Sequence, residues 1–145
     1  MAEGDITFAN HFKADLLRGI YDLDTDTIKV ALTSGYTFNP DNNHGYGDLT
    51  GEITASNYTA GGEALTGLSI TTNDTGDYAK WDAGNVTWTS LGATTIDSAI
   101  AYDDTVTTGT ATGGDPLIFR MEIGTNSNGG NYTISWNTGG IAQLS

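Results

Sequence analysis

The sequence contains no cysteine. Disulfide staples, thiolate nucleophiles and sulfur-ligated zinc are therefore excluded. Basic residues are scarce: five Lys and Arg stand against eighteen Asp and Glu, a net charge of −13. Such a surface repels phosphate backbones and anionic bilayers, so neither nucleic acid nor membrane is expected as a partner. No apolar run is long enough to span a bilayer. The opening Met1-Ala2-Glu3-Gly4-Asp5 lacks the basic start and apolar stretch of a secretory leader, which points to synthesis in a cytoplasm without one. Histidine occurs twice, as His11 and His44, and neither lies near a nucleophile motif. Both are read as surface residues rather than members of a hydrolytic triad. The Gly61-Gly62 and Gly113-Gly114 pairs lack the lysine and the strand–loop–helix context of a phosphate cradle.

What the chain does have is Thr, Gly, Asn and Asp, with 37% hydrophobic residues and three tryptophans that need a core. A length of 145 residues fits one domain, residues 1–145. Phe8, Phe12 and Leu16 recur at helical spacing, with Leu17 and Ile20 beside them, so a short helix is expected from about Phe8 to Arg18. Thr7 is its candidate N-cap and Gly19 its stop. Residues 1–20 are read as an arm and helix, and residues 27–145 as strands.

Strands follow from alternation: Ile28, Val30 and Leu32; Leu65, Leu68 and Ile70, as one strand with an irregularity at Gly67; Tyr78 to Trp81; Val86 to Trp88; Ile96 to Tyr102; Leu117 to Ile123; Tyr132 to Trp136; and a short Ile141–Leu144 tail. Asp22 to Asp26, Asn73 to Gly76 and Asn126 to Asn131 read as turns, and Asp82-Ala83-Gly84-Asn85 as a hairpin loop. Residues 34–51 and the polar Thr105–Gly114 stretch read as loops, the latter mobile. The loops at 34–51, 73–77 and 103–115 are expected to point outward. Seven to nine strands with regular turn signals predict a mainly β fold. It would be a single antiparallel β-sandwich, jelly-roll-like or immunoglobulin-like, with one short N-terminal helix. The strand order stays open.

Candidate chemistry is sparse. Asp22, Asp24 and Asp26 alternate as in a calcium loop, but Thr27 and Thr33 stand where that loop needs Gly and Glu. A solvated turn is the favoured reading, and no metal or other cofactor is expected. Trp81, Trp88 and Trp136 are read as core rather than as a sugar-binding platform. Asn57, Asn73, Asn85 and Asn131 head Asn-x-Thr triplets, which a chain this rich in Asn and Thr produces by chance. No pair of carboxylates is marked for glycosidase chemistry. An enzyme is not expected.

The run from Phe8 through Leu32 resembles the opening of small virion proteins of tailed phages, in which a short helix leads through a Thr-Asp-Thr turn to a Lys-containing strand. Asn57-Tyr58-Thr59-Ala60-Gly61-Gly62 looks like their Gly-Tyr-Thr-x-Gly-Gly stretch, with Asn57 in place of the first Gly. Ala83 to Trp88 and Tyr132 to Trp136, with Gly140-Ile141, are similar to later strands of theirs. The resemblance implies a structural protein that decorates and cements the exterior of a capsid, binding the major capsid protein and also copies of itself as a dimer or trimer. It carries over no catalytic residue. Two of the five cations, Lys13 and Arg18, lie beside Phe8, Phe12 and Leu16, so these five residues are the candidate capsid or subunit interface. The competing reading has the apolar three capping the core. Receptor- or glycan-binding and tail or connector roles are the functional alternatives.

Overall fold

A computed structural model describes residues 4–108 and 114–145. Among these residues are ten strands and one α-helix, plus a 3-10 turn at Tyr46–Asp48. The strands are β1 (Ile6–Phe8), β2 (Ile28–Thr33), β3 (Glu63–Ala64), β4 (Ser69–Asn73), β5 (Tyr78–Asp82), β6 (Val86–Trp88), β7 (Thr94–Asp103), β8 (Leu117–Ser127), β9 (Tyr132–Ile134) and β10 (Ala142–Leu144). Helix α1 spans Asn10–Leu17. The fold is mainly β and antiparallel with one short helix, a β-sandwich. One layer is a five-stranded sheet in the order β1-β8-β7-β2-β3; opposite it lie β10-β5-β4 and the β6-β9 pair.

Alternation explains how the layers meet. Ile28, Val30 and Leu32 of β2 and Phe119 and Met121 of β8 point into one continuous core, together with Trp81, Trp88 and Ile134 from the facing strands. Phe119 meets the rings of Trp81 and Trp136 edge-on at 6.5 and 6.2 Å. The core reading therefore holds for Trp81 and Trp88, and half-buried Trp136 packs against the same cluster.

The alternate residues of the central strands are buried as well. Ala31, Ile100, Tyr102 and Leu117 form a second cluster beneath Tyr36, Phe38, Tyr46 and Leu49. Residues 34–51 thus fold back over the outer face of the sheet instead of pointing outward. Their aromatics, spaced irregularly among polar residues, cover apolar side chains that would otherwise face water.

Four expected boundaries change for identifiable reasons. Strands begin at Ile6, not at residue 27: Ile6, Thr7 and Phe8 pair with Met121, Arg120 and Phe119. Thr7 is consequently in β1 and does not cap the helix. The N-cap is Ala9, with no side-chain cap, and the Asn10 N–H is satisfied by the Pro40 carbonyl at 3.0 Å. The Gly62–Thr72 stretch is two strands in two sheets, broken at Gly67, where φ is +62°. Residues 82–85 are not a hairpin, because β5 pairs with β4 and β10 while β6 pairs with β9. The chain crosses between sheets there, held by a Gly84 N–H bond to the Thr66 carbonyl at 2.7 Å.

Other expectations match. Gly19 ends α1 at φ +71°, with Ile20 N–H on the Asp15 carbonyl and Gly19 N–H on that of Leu16, a Schellman stop. The Asn73 turn joins β4 to β5, its Oδ1 accepting the Thr75 and Gly76 N–H groups. β8 runs on to Ser127, which moves the next turn to its C-terminal side. Residues 109–113 of the Thr/Gly-rich loop lie outside the described residues. Among the described residues no helix is long and apolar enough to cross a membrane.

Candidate functional site: an apolar cleft beside the helix

The register of the small sheet creates an unusual face. Ala142 pairs with Trp81, and Trp81 with Ile70, forming one cross-strand row. Two residues further along, Leu144, Ala79 and Thr72 form the next row on the same side. Apart from Thr72 this face is apolar. Trp81 is buried, but Ile70 is 50% exposed and Leu144 68%.

Phe8, Phe12, Lys13 and Leu16 face these residues across a cleft of about 240 Å³, with Leu23 also in the wall. The aromatic wall is built of mutually packed rings. Phe8 stacks on Phe12 at 5.7 Å, Phe12 lies 5.0 Å from the Tyr21 ring, and Phe8 meets Phe119 edge-on at 5.7 Å. The Trp81 indole is fixed by a 3.0 Å bond from Nε1 to the Leu23 carbonyl. Phe12 is 4% exposed, while Phe8 and Leu16 are partly buried against the core. The core-capping reading of these three residues therefore holds, and the same residues also line the cleft.

Four of the five candidate interface residues come together here; Arg18 does not. It follows the helix as its C-cap, where Nη1 bonds Asp15 Oδ1 at 2.8 Å. The i, i+3 spacing brings it over the Asp15 carboxylate, which is 1% exposed. The other eight lining residues were not among the sequence candidates, Ile70, Ala79, Trp81, Ala142 and Leu144 being the apolar ones contributed by the small sheet. The only sequence signal was an isolated Ile in a Ser/Thr-rich strand and a Leu in a polar tail. Their convergence depends on the β10–β5 pairing.

Charge around the cleft is distinctive. Its charged members are Lys13 and Lys80, and no Asp or Glu is among its twelve lining residues, in a chain with eighteen acids. Arg18, Lys29, Lys80 and Arg120 each pair with a carboxylate. Lys13 has no such pair among the described residues; its Nζ donates to Asn10 Oδ1 at 3.1 Å.

No family model, curated protein or solved structure matches this chain. The site stands on its own geometry.

Other candidates resolve differently. His11 is not a surface residue: it is 8% exposed, its ring 5.1 Å from that of His44, and its nitrogens have no hydrogen-bond partner. The fold-back of residues 39–48 against the helix buries it. Burial and the neighbouring His44 lower its pKa, against the opposing pull of Asp15, the Leu117 carbonyl and Asp48. Asp22 and Asp24 share a hydrogen bond that raises the pKa of the exposed Asp24. The Asp26 carboxylate instead accepts the Asp22 N–H at 2.8 Å. Among the described residues no three acids or histidines are grouped to hold a metal.

Asp103 is wholly buried. Its Oδ1 accepts the Thr105 and Val106 N–H groups, and its Oδ2 has no hydrogen-bond partner. Burial pushes its pKa up to about 6; the two N–H bonds oppose that rise and nearby Asp26 adds to it. This acid closes the 103–106 turn from inside, which corrects the expectation that position 103 faces outward.

Proposed function

We propose that this protein is a structural virion component that decorates and cements the outer surface of a tailed-phage capsid, and that it acts by binding rather than by catalysing a reaction. The observation that carries the reading is the cleft. It is an apolar, acid-free surface in a strongly acidic molecule, and it gathers Phe8, Phe12, Lys13 and Leu16 from the segment that resembles phage virion proteins. Apolar area left open on an otherwise charged surface is what a docking site provides.

Cementing requires no chemistry. A protein that binds across neighbouring subunits only when they are assembled stabilises the assembled state by mass action. Repetition over a lattice multiplies a modest contact into strong retention. The remaining acidic surface faces solvent and discourages random association.

The experiment is to substitute the two exposed large apolar residues of the cleft, Ile70→Ser with Leu144→Ser, and measure occupancy on particles purified after co-expression with the capsid. The reading expects copy number in wild-type particles to scale with the count of capsid subunits, and to fall in the variant while the free protein keeps its melting temperature. A wild-type copy number matching a single tail or connector ring would assign the chain there instead.

A further inference from the structure

We infer that the cleft accepts a protein segment presenting an aromatic or branched aliphatic side chain next to a carboxylate, with the carboxylate meeting Lys13. This rests on the cleft being the docking surface, and it specifies the chemistry of the occupant.

Three observations converge. First, the cleft measures about 240 Å³, below the roughly 300–1,000 Å³ typical of small-molecule pockets and on the scale of one or two side chains. Second, it is open. Ile70 and Leu144 are half or more exposed, so a free lipid chain lying in it would stay wet along one side, whereas a folded partner would cover both. Third, Lys13 is the cation without an ion pair among the described residues. An apolar partner covering Phe12 and Leu16 also strips water from the adjacent ammonium. That desolvation is unfavourable unless the partner supplies a counter-charge. The acid-free lining leaves that role to the partner, and no cleft carboxylate repels the incoming one.

The test uses the full chain, labelled with ¹⁵N, and three capped tetrapeptides: Gly-Phe-Asp-Gly, its Gly-Phe-Asn-Gly analogue and Gly-Ser-Asp-Gly. Backbone amide shifts are followed in wild type and in Lys13→Met, a substitution at an exposed position. The Phe-Asp peptide is expected to shift amides of α1, β5 and β10. The Asn analogue should bind about three- to tenfold more weakly, the Ser peptide weaker still, and the Asp/Asn ratio should fall to about one in Lys13→Met. Equal binding of the Asp and Asn peptides to wild type overturns the inference. So does the absence of cleft shifts at about 10 mM peptide, or displacement of the Phe-Asp peptide by decanoate at equal concentration. Particle occupancy of Lys13→Met separates the two layers of argument. Occupancy lost in the Ile70/Leu144 variant but kept in Lys13→Met leaves the cleft as docking surface and removes the carboxylate from it.

Discussion

Tyr58 and Glu52 are joined by a 2.6 Å hydrogen bond from the Tyr58 hydroxyl to Glu52 Oε1, and the same hydroxyl accepts the Leu32 N–H at 3.0 Å. The Gly61 N–H reaches that carboxylate oxygen at 2.7 Å, and the Tyr46 hydroxyl reaches Oε2 at 2.5 Å. The Asn57–Gly62 motif is thus tied to β2 through the Tyr58 hydroxyl, and to the loop over the outer sheet face through the Glu52 carboxylate. Burial, then the bond to Glu52, pushes the Tyr58 phenol pKa upward, so it remains a donor at any ordinary pH. Replacing Tyr58 by Phe leaves the Leu32 N–H without its partner. We expect a loss of about 2–3 kcal/mol in urea unfolding, with an unchanged m-value if the native state is otherwise intact.

Gly62 in the same motif has a φ of +75°, and a Cβ there would lie 1.8 Å from the Val30 carbonyl oxygen. The β2–β3 pairing brings two backbones too close for any side chain. Gly62→Ala should cost at least about 3 kcal/mol, combining left-handed strain with displacement of β3, read as a fall in melting temperature. A variant as stable as wild type would mean that β3 can shift freely.

Asp103 gives stability an uncommon pH dependence. Its folded-state pKa, about 6, lies above the ordinary carboxylate value. The folded chain holds this proton more tightly than the unfolded one. The contribution is therefore complete below about pH 3.8 and is lost as pH rises through about 6. Asp103→Asn keeps an oxygen for the Thr105 and Val106 N–H groups and removes the buried charge. It should stabilise the protein at pH 7.5 by up to about 3 kcal/mol and by much less at pH 4, as measured by chemical denaturation at both values.

His11 acts in the opposite direction. Its pKa is lowered in the fold, so the stability of the neutral ring is present above the unfolded value near 6.5 and declines as pH falls through the folded one. His11→Phe retains a ring against His44 and cannot charge. The acid limb of a stability–pH curve below about pH 6.5 should be shallower in this variant. A superimposable limb would place acid sensitivity elsewhere.

Within the cleft, core support and the docking role proposed above separate by exposure. Phe12→Ala should destabilise the fold by about 3–4 kcal/mol, because Phe12 is packed on Phe8 and Tyr21. Ile70→Ser with Leu144→Ser should change stability by less than about 1 kcal/mol and weaken particle binding by about 10- to 100-fold, read by occupancy against wild-type competitor.

The sequence by itself determined the periodic elements. Ile28-Lys29-Val30-Ala31-Leu32 specifies a strand, Phe12 and Leu16 a helix stripe, and Asn73 to Gly76 a turn, because each signal is carried by residues close in the chain, whereas Phe8, expected on that stripe, is drawn into β1 by pairing with Phe119. The charge balance likewise sets the character of the surface without reference to any partner. Tertiary structure alone decided the rest. Whether Trp81 and Trp88 share a hairpin depends on which strand pairs with each, and both find distant ones, β4 and β10 for the first and β9 for the second. The burial of His11 and Asp103 depends on loops folding over them, and the cleft exists because pairing in register sets Ile70, Trp81 and Ala142 side by side. Local propensity encodes whether a segment is helix or strand. Long-range pairing selects which faces meet, and a surface made from both ends of the chain emerges only after that selection.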